Sequence, residues 1–176
     1  GAGRQDGQGI LGGREAYVRA DEAVGLVRPD RNASRVVTSA QRMGRAVLPE
    51  ELFLESVRRL GELERAWVPS GEGEQSLYLR PFMVASEPYL GVREADNYRF
   101  AVIATPAGPY YSEPVKLWIT PNYTRAAPGG TGTAKCGGNY AASLVATKEA
   151  YENGCGQVPV SYTHLRAHET VLDLVC

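Results

Sequence analysis

Lys135 has the clearest chemical setting in the chain: it follows Gly129-Gly130-Thr131-Gly132-Thr133-Ala134 and precedes Cys136-Gly137-Gly138-Asn139-Tyr140. Glycines on both sides of one amine let a bulky planar group approach the backbone. A lysine held in a dry pocket can stay neutral and condense with an aldehyde, whereas a solvated lysine, protonated below a pKa of about 10.4, does so poorly. Schiff-base chemistry is thus one reading of Lys135, and a solvated loop lysine, which composition alone favours, is the other. A nucleotide-binding phosphate loop is rejected by the spacing. It needs Gly before the lysine and Ser or Thr after it, where this chain has Ala134 and Cys136.

Tyr78 and Arg80 are two apart in an apolar, strand-like run, so their side chains leave one face and can meet one anion. The blander alternative is an arginine paired with a carboxylate of the same protein. Arg35 and Arg42 fall on a predicted helix, where such residues are usually surface charges. His164 and His168 are the only histidines and both lie in the tail, which excludes histidine-based triads. Their spacing lacks the Glu of a zinc helix and a third ligand, so no metal is expected. Cys136, Cys155 and Cys176 fit neither a disulfide framework nor a metal knuckle and read as reduced thiols.

The elements that must position these groups are strands mixed with helices in no strict alternation, which gives an α+β class. The composition, 43% hydrophobic and 22% charged, is that of a globular protein, and the length suffices for one domain and part of a second. Ala16 to Val18 and Val24 to Val27 form a hairpin, and a helix runs from Asn32, capped by Asn32 or Asp30. Pro49 opens a second helix with Phe53, Val57 and Leu60 on one stripe, ended by Trp67-Val68-Pro69. Strands follow at Leu77 to Ala85, Tyr98 to Ala104 and Val115 to Ile119, with a turn at Pro106 to Pro109. The Gly- and Pro-rich stretch from Pro121 to Lys135 reads as a functional loop. Ala141 to Asn153 is a helix with Leu144, Val145, Lys148 and Tyr151 on its partly buried face, stopped by Gly154.

A net charge of -1 and a pI near 6.2 give no case for nucleic acid, and no apolar run approaches the roughly 20 residues of a membrane span. A cytoplasmic protein is expected. The glycosylation triplets at Asn32 and Asn122 are chance matches in that setting.

Four colinear segments are together more specific than any of these signals. Leu77-Tyr78-Leu79-Arg80-Pro81-Phe82, Ser86-Glu87-Pro88-Tyr89-Leu90-Gly91-Val92, Pro106-Ala107-Gly108-Pro109-Tyr110-Tyr111 and the Gly129 to Tyr140 segment resemble the branched-chain amino-acid aminotransferases, from about Leu11 to Val158. The resemblance implies the fold-type-IV architecture of pyridoxal-phosphate enzymes and a homodimer. It implies a loose end at 1–10, an N-terminal α+β domain at 11–112, a linker at 113–122 and the start of a cofactor-binding domain at 123–158. By the same resemblance, Lys135 carries pyridoxal 5′-phosphate as a Schiff base, Tyr140 flanks the ring and Arg35 contacts the phosphate. Tyr17, Tyr78, Arg80 and Tyr110 would line the substrate side. The implied reaction exchanges the amino group of leucine, isoleucine or valine with 2-oxoglutarate, giving a 2-oxo acid and glutamate.

Residues 159–176 resemble nothing in that family and read as foreign sequence, and the start at Gly1 rather than Met suggests residues upstream. A cofactor-binding carboxylate and phosphate-binding turns expected beyond Val158 do not follow, so the chain by itself is expected to be an incomplete fragment with little transaminase activity. Two alternatives stand beside this: a non-catalytic truncated homologue that acts only by associating with intact subunits, and another class IV enzyme such as a D-amino-acid transaminase or an aminodeoxychorismate lyase.

Overall fold

The computed structural model of the protein describes residues 8–70, 74–109, 111, 113–124 and 126–158. An antiparallel sheet is covered on one face by two helices. The strands are β1 (Ile10–Leu11), β2 (Arg14–Val18), β3 (Val24–Leu26), β4 (Ser76–Ala85) and β5 (Tyr98–Ala107), and the covering helices are α1 (Pro29–Arg42) and α2 (Glu50–Leu63). β4 is the spine. β5 pairs with it along its whole length from one side, while β1 and β2 lie end to end along the other and β3 pairs beyond β2.

Alternation along β4 separates a packing face from a chemical one. Leu77, Leu79 and Met83 are buried with Ala16 of β2, Ile10 of β1, Ala33, Val36 and Ala40 of α1, and Phe53 and Val57 of α2. Burying each of the larger of these side chains contributes about 1.5–3 kcal/mol. Tyr78, Arg80, Phe82 and Val84 leave the opposite face, half-buried and not covered by either helix.

The hairpin of β2 and β3 forms as the sequence predicts. Helix α1 differs at its start: it begins at Pro29, after Arg28 takes a left-handed conformation with φ 47° and ψ 52°. Proline at the first helical position has no N–H to leave unpaired, so neither Asn32 nor Asp30 is the cap. Asn32 instead donates to the Arg28 carbonyl at 3.0 Å, and Asp30 pairs with the Arg28 guanidinium. Pro49 likewise stands just before α2, in the cap position.

β5 continues through Pro106, where a turn is expected. As an edge strand it tolerates a residue with no N–H. Val115 to Ile119 is not a strand among the described residues. Its one bridge joins Leu117 to Gln157, and a strand without a longer partner has no ladder to hold it. The predicted last helix is two pieces, α3 (Gly137–Ala141) and α4 (Leu144–Glu152), followed by Gly154 at φ +69°. Its buried side is also not the predicted one. Ala146 and Ala150 pack against Val158, Trp118 and Tyr123, while Leu144, Val145 and Tyr151 are exposed, because the small residues allow the close approach.

Within the expected loose end, Ile10 is buried and the Gly9 carbonyl accepts a bond from the Gly137 N–H at 2.9 Å. Residues 1–7 and the tail 159–176, with its two histidines, lie outside the described residues. No described helix is long and apolar enough to cross a membrane, and no described group of His, Cys, Asp and Glu has the grouping of a metal site.

Candidate active site

The face from which Lys135 emerges follows from strand register. Ile10 pairs with Met83 on one side and with Cys136 on the other, and all three are buried against the helices. The next residues along, Leu11, Phe82 and Lys135, therefore point to the open face, the one that carries Tyr78 and Arg80. The Lys135 amine bonds to the Tyr140 hydroxyl and lies 4.7 Å from the centre of that ring.

Three backbone bonds fix the lysine's departure point. The Lys135 N–H donates to Ser39 Oγ on α1 at 3.0 Å, the Lys135 carbonyl accepts from the Leu11 N–H at 3.0 Å, and the Ala134 carbonyl accepts from Asn139 Nδ2 at 2.7 Å. Arg42, three residues beyond Ser39 on α1, holds the approach to this segment by bonding to the carbonyls of Gly129 and Gly130. Arg42 is thus more than the surface charge expected of it. Neither Ser39 nor Asn139 stood out in the sequence as a functional residue. A polar stripe at helical spacing, Asn32, Arg35, Ser39 and Arg42, was the available signal for the α1 side.

Arg80 Nη2 donates to the Tyr78 hydroxyl at 3.0 Å, so the two side chains converge as their spacing predicts. No described carboxylate lies within ion-pair distance of Arg80, and its buried Nε has no partner among the described residues. That arrangement favours an anion-binding arginine over one used up inside the protein. Gly13 makes room for this pair, because a Cβ there would stand 2.3 Å from the Tyr78 hydroxyl.

The other predicted residues are more dispersed. Arg35 is exposed, one helical turn before Ser39, with Nη2 at 3.5 Å from Asn32 Oδ1. Arg14 is near enough to feel its charge, and Arg14 itself has its pKa depressed, mainly by burial. The surroundings are mixed in charge, with Glu15 and Asp30 acting on Arg14 as well. Tyr17 is on the open face two residues past Glu15, the partner of Tyr78, but among the described residues no hydrogen bond or ring contact joins it to Lys135 or Arg80. Tyr110 lies outside the described residues.

No family model matches the chain. Curated relatives do. It is 52% identical over 155 residues to the branched-chain-amino-acid aminotransferase of Mycolicibacterium smegmatis, a match covering 86% of this chain and 42% of that protein. The branched-chain-amino-acid transaminase 1 of Bacillus subtilis is 46% identical over 156 residues, with 86% and 44% covered. This chain belongs to the branched-chain aminotransferases. Solved branched-chain aminotransferases carry the same fold, that of fold type IV. The enzyme of Thermoproteus uzoniensis, solved with norvaline, superposes with a TM-score of 0.66 at 25% identity, covering 89% of this chain and 51% of that one. A further branched-chain aminotransferase, solved with pyridoxamine 5′-phosphate, gives 0.64 at 27% identity, covering 86% and 50%. The chain spans less than half the length of the curated aminotransferases it matches.

Proposed function

We propose that these residues are the lysine-bearing part of a pyridoxal-phosphate-dependent transaminase acting on leucine, isoleucine or valine, with 2-oxoglutarate and glutamate as the second pair. The carrying observation is that the Lys135 amine shares the open face with an arginine that has no carboxylate partner among the described residues. The residues present fit the cofactor. An amine held by the Tyr140 hydroxyl suits an aldehyde, and the orphaned Nε of Arg80 on the same face suits an anionic ligand.

When bound, pyridoxal phosphate supplies an aldehyde carbon and a ring that takes up electron density from the substrate α-carbon. Lys135 contributes the amine that holds the cofactor and, once displaced, a base at Nζ that moves the α-proton. Tyr140 orients that amine through its hydroxyl and flanks the ring. Arg80 and Tyr78 present an N–H and an O–H to the substrate carboxylate, Tyr17 is assigned to the side of the aliphatic chain, and Arg35 is assigned to the phosphate, while Tyr110 lies outside the described residues.

The domain division at 11–112, 113–122 and 123–158 is supported by the two separate apolar clusters, although Ala134 and Cys136 pack into the first. A homodimer in the cytoplasm goes with this reading. The test is to treat the chain with pyridoxal phosphate, reduce with borohydride and map peptides. Lys135 should be labelled ahead of Lys116 and Lys148, the other two lysines and both exposed. Equal labelling of all three, or Lys135 labelled least, overturns the proposal.

A second reading is that the chain acts only by associating with intact subunits, with little turnover of its own. A leucine and 2-oxoglutarate assay, with and without a full-length subunit, separates the two.

A further inference from the structure

Asn139 is only 4% exposed, and its side chain is spent entirely on the segment that leads to Lys135. Its Nδ2 donates to the Thr131 carbonyl at 2.9 Å and the Ala134 carbonyl at 2.7 Å, and its Oδ1 accepts from the Thr131 hydroxyl at 2.8 Å. The Ala134 carbonyl and the Lys135 N–H belong to one peptide plane. Asn139 grips that plane by its oxygen, and Ser39 grips it by its nitrogen. A peptide plane bonded at both ends cannot rotate without breaking one bond, so the direction in which the Lys135 Cα–Cβ bond leaves is fixed. Asn139 also sits in α3 directly before Tyr140, whose hydroxyl meets the lysine amine.

We infer that Asn139 is a positioning residue for the Lys135 amine. It sets the plane from which the lysine departs and, through α3, the placing of that amine against Tyr140. The inference rests on the assignment of Lys135 as the reactive amine. Asparagine is the residue type this needs, because one amide group must donate to two carbonyls and accept from a hydroxyl at once. Aspartate has the same shape but would set a carboxylate against two carbonyl oxygens.

The test uses the full chain and needs no turnover. Pyridoxal phosphate and borohydride are applied across pH 6 to 10, with Lys116 and Lys148 as references in the same tube. Asn139→Ala and Asn139→Asp are each expected to slow Lys135 labelling by about tenfold to a hundredfold relative to the reference lysines, the upper end being the scale on which a group misplaced by about 1 Å loses rate. Labelling of Lys116 and Lys148 should stay as in the parent, so that the change is confined to Lys135. Thr131→Val removes only the hydroxyl bond and should stay within about twofold of the parent.

A folded Asn139→Ala with the parental ratio of Lys135 to reference-lysine labelling overturns the inference. Where that variant does not fold, parental labelling in Asn139→Asp does so, and unfolding of both marks a purely structural residue and overturns it as well. If the parent chain itself shows no preference for Lys135, the assignment of the lysine fails first and takes this inference with it.

Discussion

Two irregular segments of this chain are ordered by opposite means. In residues 86–97, between β4 and β5, the clamp is local: Glu87 Oε1 accepts from the N–H groups of Asp96 at 2.8 Å and Asn97 at 3.2 Å, and its Oε2 pairs with Arg93 at 3.0 Å. In residues 126–136 the outer clamps come from far away in sequence, Ser39 and Arg42 reaching across 96 and 88 positions. The first loop is held mainly from within, by one carboxylate, with the bond from Gln8 Nε2 to the Arg93 carbonyl at 3.4 Å added from outside. The second depends on how α1 packs on the sheet, so the placing of Lys135 is a property of the whole fold. Mutations that strike the two loops separately should break this contrast if it is wrong.

Ser39→Ala carries the largest expected effect. Ser39 is 1% exposed, and its loss leaves the Lys135 N–H without its acceptor. An unsatisfied buried donor costs about 1–3 kcal/mol. For a chain of this size that is a fall in Tm of roughly 3–9 °C, to be measured by thermal denaturation. The hairpin-loop amides of Asp96 and Asn97 should keep their hydrogen-exchange protection, and their loss would mean that the two loops are coupled.

Arg42→Ala comes next. Arg42 is exposed, so water replaces part of what its guanidinium gives to the Gly129 and Gly130 carbonyls, and the cost is about 1 kcal/mol. Limited proteolysis should become faster at residues 127–133 and stay unchanged at 86–97. Equal protection of both loops in the variant and the parent would return Arg42 to the surface-charge reading.

The same contrast explains what the sequence made legible. Alternation in β4 and the two-residue spacing of Tyr78 and Arg80 are local signals, and both were readable, as was the lysine between its glycines. The groups that hold Lys135 in place were not. Ser39 and Arg42 act only after α1 has docked, and Asn139 reads as one letter of a glycine-rich motif until its carbonyl partners are known. The misplaced last helix face has a similar cause. Apolar size pointed to Leu144 and Tyr151, whereas the packing distance selected Ala146 and Ala150. The strand expected at Val115 to Ile119 failed because composition cannot supply a partner, and among the described residues a single bridge, Leu117 to Gln157, forms there beside the bond from the Gly156 N–H to the Lys116 carbonyl.

The smallest effect at neutral pH is also the sharpest test of the contrast, because only one clamp titrates in the acid range. The Asp96 N–H, then Asn97 and Arg93, hold the Glu87 carboxyl below the ordinary value of 4.5. A depressed folded pKa means that the carboxylate's stabilisation is fully present above 4.5 and is lost as pH falls through the lower, folded value. Acidification below that point should release the Asp96 and Asn97 amides to exchange while the Lys135 segment, held by a hydroxyl, an amide and a guanidinium, keeps its protection. Glu87→Gln keeps the Oε1 acceptor for the two amides and gives up the charge and the hydrogen bond to Arg93, so the two amides should change little at pH 7 and the acid step at 86–97 should vanish. If the step persists in that variant, or if the lysine segment opens at the same pH, the two loops share one support after all.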